Sequence, residues 1–375
     1  MGREFIDGNR AIARGALRAK CDFFASYPIT PATTILQEMQ ASLPDNQGIA
    51  IQAEDEIAAI GFCIGASMAG RKVMTATSGP GMSLYSENIG LALMCETPLV
   101  IVDVQRQGPA TGSATKGADS DILFSRWITS SGLPVIALCP ATIEEAYELT
   151  YHAFNLAEKF RAPVIVLSNK EISMTRETVD LDRVKLQPVI NRNRVLPDEA
   201  VFLPHAFTRP DEVPPFADFG GDRVTRHTTS THDQAAYLTS HPRIIQEMID
   251  HYFAKIDSAA EEIARVKTDF QQDAETLIIS YGITSRSVAV AVREARSRGI
   301  KLSSLVLQTL WPTPEKAIRS AMTGVKKVVV PEMNMGQYRR EIERLSPPEV
   351  KLVGVAKMNT QLLTPQEILE QGTVL

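Results

Sequence analysis

Short, almost entirely apolar runs alternate with stretches of helical periodicity along most of this 375-residue chain. The runs 98–104 and 163–168 show no regular alternation of polar and apolar residues, which is typical of strands buried on both faces. Such strands belong to parallel sheets, because the crossover helices that connect them cover both faces. The sequence therefore predicts an α/β protein with doubly wound sheets.

The first half of the chain contains enough elements for one complete sheet. Thr142 followed by Glu145 is a capping-box pattern, so we expect a long helix to begin there. The predicted helices are 11–19, 33–43, 55–69, 83–94 and 142–159, and the predicted strands are 23–27, 72–76, 98–104, 134–138 and 163–168.

Residues from 190 to about 240 change character, with five prolines in one stretch and little periodicity. A segment this long and irregular is usually functional or wraps a neighbouring element. It contains or adjoins several histidines, but no H-x-x-x-H or H-E-x-x-H spacing, so no metal site is predicted. Those histidines are His205, His227, His232 and His241.

A second, smaller α/β unit is predicted after a helix over 242–270. We therefore divide the chain into a domain at 1–190, an irregular linker and helix at 191–270, and a second domain at 271–375. The second unit has predicted strands at 276–280, 302–307, 326–330 and 350–355, and predicted helices at 285–298, 314–322 and 335–345.

The charge balance and the cysteines exclude several classes of protein. With 39 Lys and Arg against 44 Asp and Glu, the chain has no general attraction for nucleic acid or anionic membranes. It has no run of about 18 apolar residues and no apolar signal-peptide segment, so we predict a cytoplasmic protein. The four cysteines form no C-x-x-C pair and are expected to be buried apolar groups rather than cluster or zinc ligands: Cys21, Cys63, Cys95 and Cys139.

Four segments follow predicted strands, at the edge where open parallel sheets bind ligands. In the first, YPITP at 27–31, two prolines hold the Thr30 hydroxyl on a stiff turn. An ordinary strand–turn–helix junction explains this segment equally well. In the second, QAEDEIAAIG at 52–61, the helix dipole accounts for one or two acids, while the apolar surroundings leave room for one carboxylate in a dry pocket.

The third and fourth segments point to a small ligand. The glycines of TSGPGMS at 77–83 permit close approach of a flat molecule, with Ser83 as a helix cap, but the lysine of a phosphate loop is missing. In the fourth, Arg106 leaves an apolar strand and offers a rigid fork for a carboxylate. Thr111, Thr115 and Lys116 follow it, a combination that favours an anionic small molecule over a solvated run of charge.

In this order, YPITP, QAEDEIAAIG, TATSGPGMS and QRQGPATGSATK resemble the alpha subunits of 2-oxoacid:ferredoxin oxidoreductases. The resemblance covers essentially the whole chain, including LIISYGITSR and PEMNMGQ. The R-x-G-P-[SA]-T-G form of the fourth segment resembles the corresponding loop of the 2-oxoglutarate-type subunit. Gln107 and Ala110 depart from the small residue and the serine that are more usual in relatives, so loop position or selectivity is expected to differ.

The resemblance implies a fold, cofactors and partners. The first domain would be a thiamine-diphosphate pyrimidine-binding domain, and the second would resemble a transketolase C-terminal domain. A beta subunit would supply the pyrophosphate site, Mg²⁺ and a 4Fe–4S cluster, since G-D-G…N and cluster cysteines are missing from this chain. The complex, (αβ)₂ or larger, would use CoA, a 2-oxoacid and ferredoxin.

The resemblance also assigns roles to residues around the cofactor. Thiamine catalysis needs a carboxylate beside the aminopyrimidine ring, and Glu54 matches that position. Asp55 and Glu56 are then acids at the start of a helix. Thr30 would face the reacting centre and the bound oxoacid. The remaining cofactor-binding residues would be Tyr27, Pro28, Gly79, Pro80 and Gly81.

On the substrate side, Arg106 would pair with the oxoacid carboxylate, with Thr111 and Thr115 as neighbouring donors. Three alternatives stay open: another 2-oxoacid such as pyruvate, a branched-chain or an aryl oxoacid; half of a non-redox thiamine enzyme; or an inactive module on the same fold. The combination of Thr30, Glu54 and Arg106 argues against the last. An adjacent reading frame with G-D-G and several cysteines would support the oxidoreductase.

Overall fold

Two main β-sheets, each covered by helices, organise the computed structural model, which describes residues 2–196 and 202–373. The predicted doubly wound α/β class is confirmed. Part of the proline-rich segment, residues 197–201, lies outside the described residues. Within the described ranges, no helix combines the length and apolar character needed to cross a bilayer.

The first unit runs from the start of the described chain to Val179. Its elements are β1 (Glu4–Asp7), α1 (Gly8–Arg18), β2 (Phe23–Ser26), α2 (Thr33–Ser42), β3 (Ile49–Gln52), α3 (Glu56–Met68), β4 (Val73–Thr77), α4 (Gly79–Met94), β5 (Leu99–Gln105), α5 (Ile122–Arg126), β6 (Ile136–Leu138), α6 (Ile143–Phe160), β7 (Pro163–Asn169), α7 (Lys170–Met174) and β8 (Arg176–Val179).

The sheet of this unit has the strand order β12-β6-β7-β5-β4-β2-β3, and β2 to β7 are all parallel. Every residue of β4, β5 and β7 is buried, as their apolar runs predict. The edge strand β3 is half exposed, and its weak pattern explains why sequence analysis missed it. The Thr142 cap is confirmed, since its hydroxyl accepts from the Glu145 N–H at 3.1 Å.

The second unit follows the proline-rich segment and supplies the remaining elements. These are α8 (Pro242–Asp257), α9 (Ala260–Ile263), β9 (Val266–Asp269), β10 (Thr276–Tyr281), α10 (Thr284–Ser297), β11 (Ser303–Leu307), β12 (Thr309–Trp311), α11 (Glu315–Ala321), β13 (Lys327–Glu332), α12 (Arg339–Leu345), β14 (Lys351–Ala356) and α13 (Pro365–Ile368).

The two units share structure beyond a simple linker. The second sheet has the order β14-β13-β10-β11-β9, while β12 leaves it and pairs antiparallel with β6 of the first sheet. One apolar cluster runs continuously from the first sheet into β10, β11 and α12. The division at 190 and 270 stays a prediction, but β9 lies inside the predicted linker and pairs with the second sheet.

Two predicted helices are wrong in part. The helix predicted over 242–270 ends at Asp257, because residues 266–269 pair with the β11 edge instead. The helix predicted over 335–345 begins only at Arg339, because residues 333–337 form a tight turn.

The irregular segment wraps the first unit at the edge of the sheet where parallel strands begin. Arg161 donates to the carbonyls of Pro204, Pro214 and Pro215 at 3.0–3.2 Å. At the same edge the buried Glu96 carboxylate accepts from three side chains of this segment and α8, namely His205, His251 and Lys255. The segment therefore covers its own unit, which confirms the wrapping half of the prediction.

Candidate active site

The four ligand-binding segments predicted from sequence meet at one edge of the first sheet. They follow β2, β3, β4 and β5, which are neighbouring parallel strands. Because the carboxyl ends of parallel strands lie at the same edge, the segments converge where open sheets bind ligands.

The turn after β2 is fixed from below by a side chain that the sequence did not single out. Asn9 of α1 is fully buried, and its amide donates to the Pro31 carbonyl and the Thr34 hydroxyl, both at 2.7 Å. Thr30 and Pro28 are half-buried, and Tyr27 is 38% exposed. This turn therefore presents Tyr27 and Thr30 on a rigid support.

The acidic segment after β3 sends its three carboxylates in different directions. Asp55 caps α3, accepting from the Ala58 N–H at 2.7 Å, so it is the helix-start acid that was expected. Glu54 is exposed, whereas Glu56 is 7% exposed. Glu56 is an acid in the first turn of α3, as expected, and its side chain is also buried.

Glu56 lies against the start of α4, at the centre of the four segments. A Cβ on Gly81 would come 3.0 Å from its Oε1 atom and 1.9 Å from the Thr77 hydroxyl, so only glycine fits there. Across residues 2–196 and 202–373, no hydrogen bond reaches the Glu56 carboxylate. The Glu56 oxygens are not among the fully buried unpaired atoms, so they face the accessible edge of the sheet, where a ligand can donate to them.

The residues 79–81 predicted as a loop are in fact the first turn of α4. Ser78 has the extended backbone of an N-cap, and Pro80 lies in the first turn, where its fixed φ suits a helix. Ser83 is therefore inside the helix rather than its cap. The buried Ser78 hydroxyl has no partner in the described part of the chain, which leaves a second polar group available at this edge.

Arg106 follows β5 and is 6% exposed. Its Nη1 donates to the Thr30 carbonyl at 2.6 Å, so the first and fourth segments are joined directly. Burial lowers the pKa of Arg106, while Asp121 and Glu56 oppose that shift. Among the described residues its Nε atom has no partner, and no carboxylate lies within 4.0 Å of the guanidinium.

A buried acid pair below Arg106 was missed by sequence analysis. Asp103 on β5 is fully buried next to Asp121, and neither of its carboxylate oxygens has a hydrogen-bond partner among the described residues. Burial and the neighbouring acid raise the pKa of Asp103 well above its ordinary range, and burial raises that of Asp121 to about 6. The pair therefore carries less than its full negative charge beside Arg106.

The loop after Arg106 folds back on itself. Gln107 N–H donates to the Lys116 carbonyl at 2.8 Å, and Ser113 N–H donates to the Gln107 carbonyl at 2.9 Å. Thr111, Thr115 and Lys116 are exposed on this hairpin. The described residues contain no side-chain hydrogen bond between either threonine and Arg106, so their predicted role as substrate donors stays a prediction.

One signal in the sequence would have identified Glu56. The buried face of α3 repeats at Glu56, Ala59, Ile60, Cys63 and Ile64, which is helical spacing, and Glu56 is the only charged residue among those five. Asp103 interrupts an apolar strand and is a signal of the same kind. Asn9 and Asp121 carry no comparable signal, because only the tertiary fold brings them to the site.

The histidines near the wrapping segment do not assemble a metal centre in the described ranges. No group of three or more His, Cys, Asp or Glu side chains there could hold an ion. Burial lowers the pKa of His205 to about 4 and that of His227 to about 3, so both are neutral. All four cysteines are buried and free.

Comparisons with known proteins agree with this arrangement. Residues 14–250 match the family described as pyruvate flavodoxin/ferredoxin oxidoreductase, thiamine diphosphate-binding. Residues 274–368 match the family described as pyruvate:ferredoxin oxidoreductase core domain II.

Two curated relatives match along nearly their whole length. The chain is 41% identical to 2-oxoglutarate synthase subunit KorA of Methanothermobacter marburgensis, covering 98% of this chain and 97% of the relative. It is 33% identical to ketoisovalerate oxidoreductase subunit VorB of Methanothermobacter thermautotrophicus, covering 99% and 97%.

A solved structure shares the fold closely. It is 2-oxoglutarate:ferredoxin oxidoreductase from Magnetococcus marinus with 2-oxoglutarate, coenzyme A and succinyl-CoA bound, at a TM-score of 0.92 and 31% identity. The match covers 98% of this chain and 64% of that one. A split-gene transketolase, at a TM-score of 0.57 and 13% identity, shares the fold alone.

Proposed function

The chain belongs to the pyruvate flavodoxin/ferredoxin oxidoreductase family, and from that premise we propose that it is the alpha subunit of a 2-oxoglutarate:ferredoxin oxidoreductase. The reaction is the CoA-dependent oxidative decarboxylation of 2-oxoglutarate to succinyl-CoA and CO₂, with electrons passing to ferredoxin, or the reductive reverse. The observation that carries the proposal is Glu56, a residue 7% exposed that lies near the buried Arg106 and accepts no hydrogen bond within the described part of the chain.

The residues at the sheet edge fit the aminopyrimidine of thiamine diphosphate. We assign to Glu56, rather than to Glu54, the carboxylate that pairs with this ring, because Glu56 is buried and Glu54 is exposed. Gly81 lets Glu56 and Thr77 pack directly against the first turn of α4, and Tyr27 lies at the rim. When bound, thiamine diphosphate supplies the carbon nucleophile for 2-oxoacid decarboxylation. Glu56 then holds the ring in the protonation state that this chemistry needs.

Arg106 is the group that binds the anionic substrate. Its guanidinium is held at one end by the Thr30 carbonyl, which aims the remaining N–H groups toward the site. A carboxylate of the oxoacid is the partner that its planar fork prefers. Thr111 and Thr115 would contribute donors once the hairpin closes over the substrate.

The chain forms one half of the active site. Glu54 and Tyr27 are exposed at the rim, and we propose that the beta subunit covers them while supplying Mg²⁺, the pyrophosphate site and the 4Fe–4S cluster. The four cysteines of this chain are buried, and no group of three or more His, Cys, Asp or Glu side chains in its described part could hold a metal ion. The purified chain is therefore expected to be colourless. A stoichiometric 4Fe–4S spectrum from it would contradict this division.

Anaerobic viologen reduction by the co-produced alpha and beta chains tests the proposed reaction. With CoA and thiamine diphosphate present, 2-oxoglutarate should give a higher kcat/KM than pyruvate or 2-oxoisovalerate. A preference for 2-oxoisovalerate would move the chain toward its ketoisovalerate relatives. Absence of turnover with every oxoacid would remove the assignment to this reaction.

A further inference from the structure

A turn of the second unit, residues 333–337, is hydrogen-bonded to residues 119–123, the segment that follows the Arg106 hairpin. The Gln337 amide holds this segment from both sides: its Nε2 donates to the Ser120 carbonyl at 2.7 Å, and its Oε1 accepts from the Leu123 N–H at 3.0 Å. The N–H and the carbonyl oxygen of this one side-chain amide therefore both bind the backbone of the other unit.

A second residue of the same turn holds the segment one step earlier. Asn334 is fully buried, and its Nδ2 donates to the Asp119 carbonyl at 2.8 Å. The Asp119 N–H in turn donates to the Met333 carbonyl at 3.1 Å. Four hydrogen bonds thus join residues 333–337 to residues 119–123.

The turn at residues 333–337 is itself rigid. The Asn334 side chain accepts from the N–H groups of Gly336 and Gln337 at 2.8 and 2.9 Å. Gly336 has a φ of +79°, a left-handed conformation in which a side chain would be strained. The position of the Gln337 amide is therefore fixed by its own loop, and not only by the segment that it holds.

Residues 119–123 hydrogen-bond directly to Arg106, the proposed substrate-binding arginine, and to the residue before it. The Ser120 hydroxyl donates to the Arg106 carbonyl at 3.1 Å, and the Asp121 N–H donates to the Gln105 side chain at 3.0 Å. The Asp121 carboxylate lies 2.9 Å from where a Cβ on Gly79 would be, under the first turn of α4. A shift of this segment would therefore move both the Arg106 loop and the acid beside it.

We propose that Gln337 is a positioning residue that sets the place of Arg106 and its hairpin for the oxoacid. The inference rests on the role proposed above for Arg106 and adds to it a dependence on the second unit. An alternative is that Gln337 only helps to hold the two units together. The two readings differ, because a general interface contact would lower stability without acting selectively on the oxoacid.

The test compares Gln337→Ala with Arg286→Gln in the assembled complex. Arg286 forms an ion pair with Glu177 between the same two units, without touching residues 119–123. Three quantities are measured: hydrogen–deuterium exchange of the backbone amides at 106–118, the KM values for 2-oxoglutarate and CoA, and Tm. Gln337→Glu, which keeps the acceptor for Leu123 but places a second acceptor against the Ser120 carbonyl, serves as an isosteric variant.

Gln337→Ala should speed exchange at 106–118 and raise the KM for 2-oxoglutarate about 5- to 50-fold, with the KM for CoA unchanged within about twofold. Gln337→Glu should have at least as large an effect, because its second carboxylate oxygen faces the Ser120 carbonyl without a proton, and Arg286→Gln should change neither quantity. Unchanged exchange in Gln337→Ala would overturn the proposal. So would an equal rise in both KM values, or a rise matched by Arg286→Gln.

Arg106→Ala in the same series separates failure of this inference from failure of the proposed function. If Arg106→Ala raises the KM for 2-oxoglutarate and Gln337→Ala does not, the positioning role is wrong and the substrate assignment stands. If Arg106→Ala leaves that KM unchanged, the substrate assignment itself is wrong and the positioning role fails with it.

Discussion

Two buried glutamates, at opposite edges of the first sheet, have been given very different surroundings. Glu96 is fully buried and accepts from His205 at 3.0 Å, His251 at 2.9 Å and Lys255 at 2.5 Å. Glu56, at the edge where the strands end, is nearly as buried but receives no hydrogen bond from any residue that the structure describes. At one edge a glutamate carboxylate thus receives its hydrogen bonds from within the protein, and at the other edge a glutamate carboxylate receives none from the described residues.

The difference separates structure from function. Burial opposes the charged form of Glu96, but Lys255, His205 and His251 outweigh it and hold its pKa well below the ordinary range. An internally satisfied carboxylate of this kind fixes a segment in place. A carboxylate on a buried side chain that accepts no internal hydrogen bond is instead free to accept one from a ligand.

Replacing Glu56 should have the largest effect on activity. Glu56→Gln keeps the shape of the side chain but removes the charge that faces the cofactor ring, so turnover should fall about 10²- to 10⁴-fold while Tm stays the same or rises. Viologen-linked decarboxylation of 2-oxoglutarate by the complex measures the loss. Glu54→Gln is the matched control and should retain activity within about threefold, because Glu54 is exposed. The reverse ranking would restore Glu54 as the cofactor carboxylate.

Replacing Glu96 should have the opposite profile. Glu96→Gln leaves Lys255 buried without its counter-charge, which should cost about 3–5 kcal/mol of stability at pH 7. A drop in Tm of several degrees, with kcat/KM preserved at low temperature, is the expected result. Glu275→Gln removes an ion pair of similar chemistry that is exposed at both partners, and it should leave Tm unchanged. Equal effects of the two substitutions would show that burial of Glu96 is not what matters.

The next effect concerns Arg106, which belongs to the open edge. Losing a buried, charge-assisted contact to the oxoacid should cost about 2–4 kcal/mol, or roughly 30- to 1000-fold in kcat/KM. Arg106→Lys should recover only part of this loss, because an ammonium lacks the planar fork. The complex should still assemble and its KM for CoA should change little. An assembled Arg106→Ala complex with normal oxoacid kinetics would remove Arg106 from the substrate site.

The smallest predicted effect is a difference in pH response between the two edges. Burial raises the pKa of Asp119, near the open edge, to about 7 from an ordinary 3.8. The hydrogen bond that Asn169 donates to it lowers the pKa but does not outweigh burial. Because the folded pKa is the higher one, the stability contributed by the protonated group is lost as the pH rises from about 4 to about 7. The contribution of Glu96 has the opposite sign, since it is lost as the pH falls below its ordinary 4.5.

Asp119→Asn tests this response by removing the titration at the open edge. The Tm of the variant relative to the wild type should rise between pH 5 and pH 8 by a few degrees, because the wild type loses about 2–3 kcal/mol of stability over this range. The exposed Glu275→Gln should show no such change. An identical Tm difference at both pH values would mean that Asp119 is already ionised at pH 5.

The elements that sequence analysis predicted best are those whose surroundings are uniform along the chain. The strands β4, β5 and β7 are apolar on both faces, so their composition alone defines them. The edge strand β3 and the transferred strand β12 were missed, because what makes them strands is a neighbour distant in sequence.

The site residues were predicted at the sheet edge where the structure brings them together; Glu54 as the cofactor carboxylate stays a prediction, against which we propose Glu56. Arg106 and Thr30 were identified from chemistry and turn residues, and the structure joins them by a hydrogen bond at 2.6 Å. Glu54 was chosen from the family pattern, although the buried face of α3 points to Glu56, two residues further on. The gripping of residues 119–123 by Gln337 spans more than 200 positions, and no local signal could have shown it.

Hydrogen–deuterium exchange at C2 of thiamine diphosphate bound to the assembled complex tests the central claim most directly. This exchange isolates the proton removal that the carboxylate supports from substrate binding and electron transfer. We predict that Glu56→Gln slows it at least about 100-fold and that Glu54→Gln leaves it within about threefold of the wild type. Slow exchange in Glu54→Gln together with normal exchange in Glu56→Gln would contradict the account of the open edge.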